Sequence, residues 1–124
     1  PRLVGFSQAM DLLMSGRMIN GSEAVELGLA LKAVPEAQLV DTAMAYAKEY
    51  ANTAPVSVAI SKRLMWEGLG SSYIKVKNKE GRLFAWAGSQ ADAKEGIRSF
   101  LEKRAPEWKM SAAKDMPDLM NEAL

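Results

Sequence analysis

The 124-residue sequence contains no cysteine and no histidine. Without cysteine there is no disulfide, no thiolate chemistry and no cysteine zinc site, and a reducing compartment fits that usage. Without histidine there is no Ser-His-Asp triad and no imidazole base, and the commonest metal ligand is missing. Acid–base chemistry in this chain falls to carboxylates, lysine or tyrosine. An excess of one charge is lacking too. Sixteen Lys and Arg stand against 15 Asp and Glu, a net charge of +1, so no global field draws the chain to nucleic acid or to a membrane surface. No apolar run approaches the roughly 20 residues that span a bilayer. The start, "PRLVGFSQAM", has no initiating Met and no signal-peptide layout. A chain that begins on Pro1 is read as trimmed or cut. No internal repeat or low-complexity segment is present, and no residues have metal-ligand spacing. "GLGSS" has glycines but neither the Lys-Ser/Thr nor the preceding strand of a phosphate loop.

What is present reads as helix. The composition, 48% hydrophobic and 25% charged, is that of a soluble globular protein. Ser7 to Met14 predicts a short apolar helix, stopped by Ser15-Gly16. Asn20 is an N-cap, and Glu23 can close a capping box. Gly28 is placed to end that second helix. "LALKAVP", ended by Pro35, is the one strand candidate. Leu39, Ala43, Ala47 and Tyr50 give a broad apolar stripe on a helix over 36–52. Pro55 suits the first turn of the next helix, which runs to about Trp66 and buries Val56, Ala59, Ile60 and Leu64. A further helix covers about 72–87. The last helix opens at Asp92 as N-cap with Glu95 in the capping-box position, presents Ile97, Phe100 and Leu101 on one face, and stops before Pro106. The segment after it, "KMSAAKDMPDLMNEAL", is weakly patterned and is expected to be a loose or partner-bound tail. Trp66, Trp86 and Trp108 sit near element ends, so part of this surface is expected to pack on something outside the chain.

Three groups of residues carry candidate chemistry, each with a plainer structural explanation. Glu23/Glu26 and Asp92/Glu95 are carboxylate pairs three apart. Capping and the helix dipole explain them without catalysis. The run "KVKNKEGR" over 75–82 is basic, but no aromatics interleave with it, so a solvated helix face is the better reading. Lys103 and Arg104 fall at the end of the last helix. The dipole favours cations there by about 0.3–1 kcal/mol, and the same pair could also grip an anionic ligand.

The ordered segments resemble a known family. "RLVG", then "AMDLLMSGRMINGSEAVELGLALKAVP", then Ala54-Pro55 with Ser61-Lys62, and finally "DAKEGIRSFLEKRAPEW", resemble the enoyl-CoA hydratase/isomerase (crotonase) family over about residues 2–109. The resemblance implies a mainly α chain with one short strand, the helical C-terminal and trimerisation part of a crotonase-like α/β (spiral ββα) fold. Residues 1–35 would end the core, 36–109 would form the C-terminal helical region, and 110–124 the tail. In that family the oxyanion hole and the acidic catalytic residues belong to the half upstream of the position matched by Pro1. The resemblance therefore implies no catalytic residue here and no metal. The parent would be a hydratase or isomerase of fatty or other acyl-CoA breakdown, needing no cofactor beyond the coenzyme A thioester that is its substrate. Lys103 matches the family's CoA-phosphate lysine, which acts across a subunit boundary. Phe84 and Phe100 match aromatics near the CoA or acyl pocket, although core packing explains an aromatic equally well. The implied partners are acyl-CoA, the missing N-terminal half and further copies in a homotrimer or hexamer, with no nucleic acid and no membrane. The implied place is the cytoplasm, or the mitochondrial matrix in a eukaryote. The competing reading is a freestanding helical interaction module.

Overall fold

The computed structural model describes residues 1–121. Six helices follow one another: α1 (Phe6–Ser15), α2 (Gly21–Glu26), α3 (Leu39–Ala51), α4 (Pro55–Gly68), α5 (Tyr73–Gly88) and α6 (Ala91–Glu102). Short 3-10 turns occupy Glu36–Gln38 and Asp118–Asn121. The chain divides into two compact units, Pro1–Lys48 and Glu49–Leu124.

In the first unit the stop and start signals act as their chemistry dictates. Gly16 closes α1 in the left-handed region, at φ 61°, where a side chain would clash. Asn20 caps α2, its side-chain oxygen accepting the Glu23 N–H at 2.9 Å. The Glu23 carboxylate does not complete a capping box. It pairs with Arg17 at 2.5 Å, and Arg17 also holds Asp11 at 2.9 Å. Gly28, at φ 78°, ends α2. The strand expected over 29–35 does not form, and no strand occurs among the described residues. A strand needs a neighbour to bond its N–H and C=O groups, and none is present in this unit. Only Ala9 is a buried hydrophobic here, and α3 buries none of its residues.

The second unit has the core. Val56 and Ile60 of α4, Leu83 of α5 and Met120 are buried, with Leu64, Trp86, Met110, Met116 and Leu119 packed around them. Pro55 takes the first position of α4. The segment after α6 is not loose. Met120 is 1% exposed, and Asp118–Asn121 packs on α5. Residues 122–124 of the expected tail lie outside the described residues.

Helix α6 is inverted with respect to a solvated helix. Its buried residues are Asp92 and Ser99, while Ile97, Phe100 and Leu101 are exposed at 65%, 82% and 73%.

Candidate functional site

Helices α4, α5 and α6 line an open cavity of about 490 Å³. Ser57, Ser61 and Leu64 line it from α4, Glu80, Phe84 and Ala87 from α5, and Ala93 and Ile97 from α6. The lining repeats at three- and four-residue spacing on α4 and α5, which places those side chains on one helix face. That spacing was readable in the sequence, where Ser61 and Ile97 were noted for other reasons and Ser57 and Glu80 were not singled out. Glu80 is the one ionisable group in this lining. Phe84 borders the cavity yet is 79% exposed, so it is not a core aromatic. Phe100 is also exposed and does not line the cavity. Neither phenylalanine packs in the core of this chain.

Lys103 and Arg104 sit just past α6 rather than in its last turn. Lys103 has φ 53° and ψ 39°, and is the single non-glycine residue with positive φ among those described. Its N–H donates to the Phe100 carbonyl and the Arg104 N–H to the Ser99 carbonyl, which closes the helix in the Schellman pattern. Glycine is the usual residue at that position. The exposed Lys103 ammonium makes no ion pair among the described residues.

Arg104 does not act as a bare helix-end cation. Its guanidinium forks onto Glu95, with Nη1–Oε1 at 2.5 Å and Nη2–Oε2 at 3.1 Å, and Nε reaches Glu102 at 2.6 Å. Nor are Asp92 and Glu95 caps. Gln90 occupies the N-cap position, and the two carboxylates bind residues beyond the helix instead. Asp92 accepts the backbone N–H of Lys109 at 2.8 Å and of Met110 at 3.3 Å. Glu95 accepts the Glu107 N–H at 2.8 Å. The Arg104 guanidinium, and after it the Glu107 N–H, hold the Glu95 carboxyl down at about 2. Glu95, its lone pairs committed and its carboxyl held low, is a poor proton acceptor for a substrate. Trp108 completes the fastening: Nε1 donates to the Asn52 carbonyl at 2.8 Å and its ring lies against Gly96. No cluster of metal-ligating residues occurs among the described residues.

The structure thus shows an apolar cavity lining on α4 to α6, a lysine at the end of α6 with no ion pair among the described residues, and two carboxylates tied to backbone and guanidinium partners. A sequence model of the enoyl-CoA hydratase/isomerase family matches residues 1–111. The chain belongs to the enoyl-CoA hydratase/isomerase family. A Bacillus subtilis protein named "Probable enoyl-CoA hydratase" is 39% identical over 110 residues, 88% of this chain and 43% of that protein. The carnitinyl-CoA dehydratase of Proteus mirabilis is 34% identical over 114 residues, 80% of this chain and 40% of that protein. The crystal structure of an enoyl-CoA hydratase from Bacillus anthracis superposes with a TM-score of 0.83 at 31% identity, covering 88% of this chain and 42% of that one. This member of the hydratase/isomerase family therefore spans less than half the length of these relatives.

Proposed function

We propose that this chain is the helical C-terminal part of an acyl-CoA-processing enzyme, an enoyl-CoA hydratase or isomerase, and that it supplies subunit contacts and one wall of the CoA pocket. The observation that carries the reading is the family match over residues 1–111 joined to the outward-facing apolar side of α6. In this reading residues 1–35 end the enzyme core and 36–109 form the helical region. The α6 face with Ile97, Phe100 and Leu101 meets another subunit of a trimer or hexamer, or the rest of its own. The absence of strands among the described residues supports placing the chain after the spiral core rather than within it. The sequence encoded next to Pro1 tests that placement. A Gly-rich segment with an acidic residue immediately upstream is expected, and a parent in which this stretch opens the family fold would overturn it.

Lys103, with Phe84 and Phe100, is the proposed CoA contact. The lysine gives a phosphate a point charge with three donors, and the exposed rings give an apolar surface to the rest of the thioester. The reaction itself needs donors aimed at the thioester oxygen to stabilise an enolate-like intermediate, an effect worth several kcal/mol. In this reading those donors and the acidic residues that handle protons belong to the rest of the parent, so this chain is inactive by itself. The reading as a freestanding interaction module draws on the exposed apolar stripes alone, which the parent-enzyme reading explains as well. Lys103→Glu in the longer enzyme tests the contact. KM for acyl-CoA is expected to rise about tenfold or more, equivalent to about 1.4 kcal/mol, with the melting temperature unchanged. An unchanged KM with a lowered melting temperature would make Lys103 a helix-end residue only.

A further inference from the structure

Glu95, Glu102 and Glu107 lie on α6 or just past it, and each has a cation other than Lys103. Glu95 accepts both ends of the Arg104 fork, Nη1 at 2.5 Å and Nη2 at 3.1 Å. Glu102, the residue immediately before Lys103, accepts Nε of the same guanidinium at 2.6 Å. Glu107 pairs with Lys109 at 3.3 Å. None of these pairs includes the Lys103 ammonium.

Adjacency in the sequence would give a different result. An exposed lysine beside a glutamate has a carboxylate within reach, and a lysine so paired has less charge to offer a ligand. Here Arg104 takes both carboxylates. The chain turns at Lys103 in the left-handed region, and the Arg104 N–H then donates back to the Ser99 carbonyl. That bond returns the arginine to α6, where its guanidinium meets Glu95 and Glu102 together. A planar group with five donors can hold two carboxylates at once, which a lysine ammonium does less well. Glu95 is itself fixed from a second side, since it also accepts the Glu107 N–H at 2.8 Å. Its side chain is only 14% exposed.

We propose that Arg104 is a positioning residue for the Lys103 contact: by holding Glu95 and Glu102 together it keeps both carboxylates from pairing with the Lys103 ammonium and from repelling a phosphate brought to it. The inference rests on the reading of Lys103 as a CoA contact and adds a residue that acts without touching the ligand. The run Glu102-Lys103-Arg104 then divides its charges. One cation cancels the neighbouring carboxylates, and the other is left for an external anion.

The test uses the longer enzyme and two ligands, CoA and a pantetheine thioester of a short enoyl acid, which has no phosphate. Arg104→Met is expected to weaken CoA binding about fivefold, the effect of one unit charge a few ångströms away in solvent. KM for the pantetheine thioester should not move. Adding Glu102→Gln to Arg104→Met should recover most of the CoA affinity. A loss equal for both ligands, or one that Glu102→Gln does not reduce, would make Arg104 a structural tie only and overturn the proposal. Lys103→Met separates the two readings. If it binds CoA as well as the wild type, the contact itself is absent and both readings fall. If it weakens CoA while Arg104→Met does not, the present inference alone falls. Should Arg104→Met not fold, Arg104→Lys takes its place. An ammonium ties one carboxylate at a time, so CoA is expected to weaken about twofold, and an unchanged affinity would overturn the proposal.

Discussion

Lys103→Gly separates the two roles that Lys103 could have. At φ 53° and ψ 39° the lysine backbone sits in the left-handed region, which costs an L-residue about 1–2 kcal/mol. Glycine removes that cost and adds back about 0.4–1 kcal/mol through the freedom it gives the unfolded chain. The net is a stabilisation between roughly zero and 1.5 kcal/mol. In the longer enzyme, of the 150–250-residue class or above, each kcal/mol moves the melting temperature by about 2–4 °C. The Schellman bonds are made by backbone N–H groups and survive the change. The ammonium does not survive. If it binds a CoA phosphate, the lost charge-assisted bond is worth about 1.5 kcal/mol or more, which is about tenfold in affinity. Thermal melts and acyl-CoA saturation curves on the longer enzyme give both numbers from one variant. A melting temperature held or raised, together with a weakened KM, is expected. A variant that melts lower and keeps its KM would refute the reasoning on both counts.

The fastening of the chain beyond α6 gives two further expectations. Asp92→Ala leaves the Lys109 and Met110 N–H groups without their acceptor and should lower the unfolding free energy by about 1.5–3 kcal/mol in urea titrations, with Asp92→Asn recovering part of the loss. Glu95 is held at about 2, well below its ordinary 4.5. The unfolded chain therefore takes up this proton first, so the contribution of Glu95 is complete above about pH 5 and is lost as pH falls toward 2. The melting-temperature gap between the wild-type chain and Glu95→Gln should accordingly narrow on acidification across that window. A gap independent of pH would mean that the Arg104 fork contributes nothing to stability.

Features fixed by neighbouring residues were legible in the sequence. Gly16, Asn20, Gly28 and Pro55 act through the backbone within one turn, and each does in the structure what its chemistry dictates. Asp92 and Glu95 were misread because capping considers only the next three residues. Their partners lie 9 to 18 residues further on. The apolar run over 29–35 has strand composition but no neighbouring strand to bond with, so local propensity had nothing to act on. The role of the final segment was readable and was missed. Met116, Leu119 and Met120 have helical spacing, but they fall on a stretch with little other pattern. Of the candidate site, the sequence pointed to Lys103 and Phe84. It gave no sign that Lys103 adopts a left-handed backbone or that α6 turns its apolar side outward, since both depend on what Asp92 and Ser99 pack against.

The central claim is that this chain is one part of an acyl-CoA enzyme whose reacting groups lie elsewhere in the parent. It is tested most directly by hydration of a short enoyl-CoA, measured with the purified 124-residue chain and with the same chain joined to its upstream half. The account predicts a rate equal to the buffer blank for the chain alone and turnover for the joined protein. Turnover by the chain alone, clearly above the blank, would contradict it.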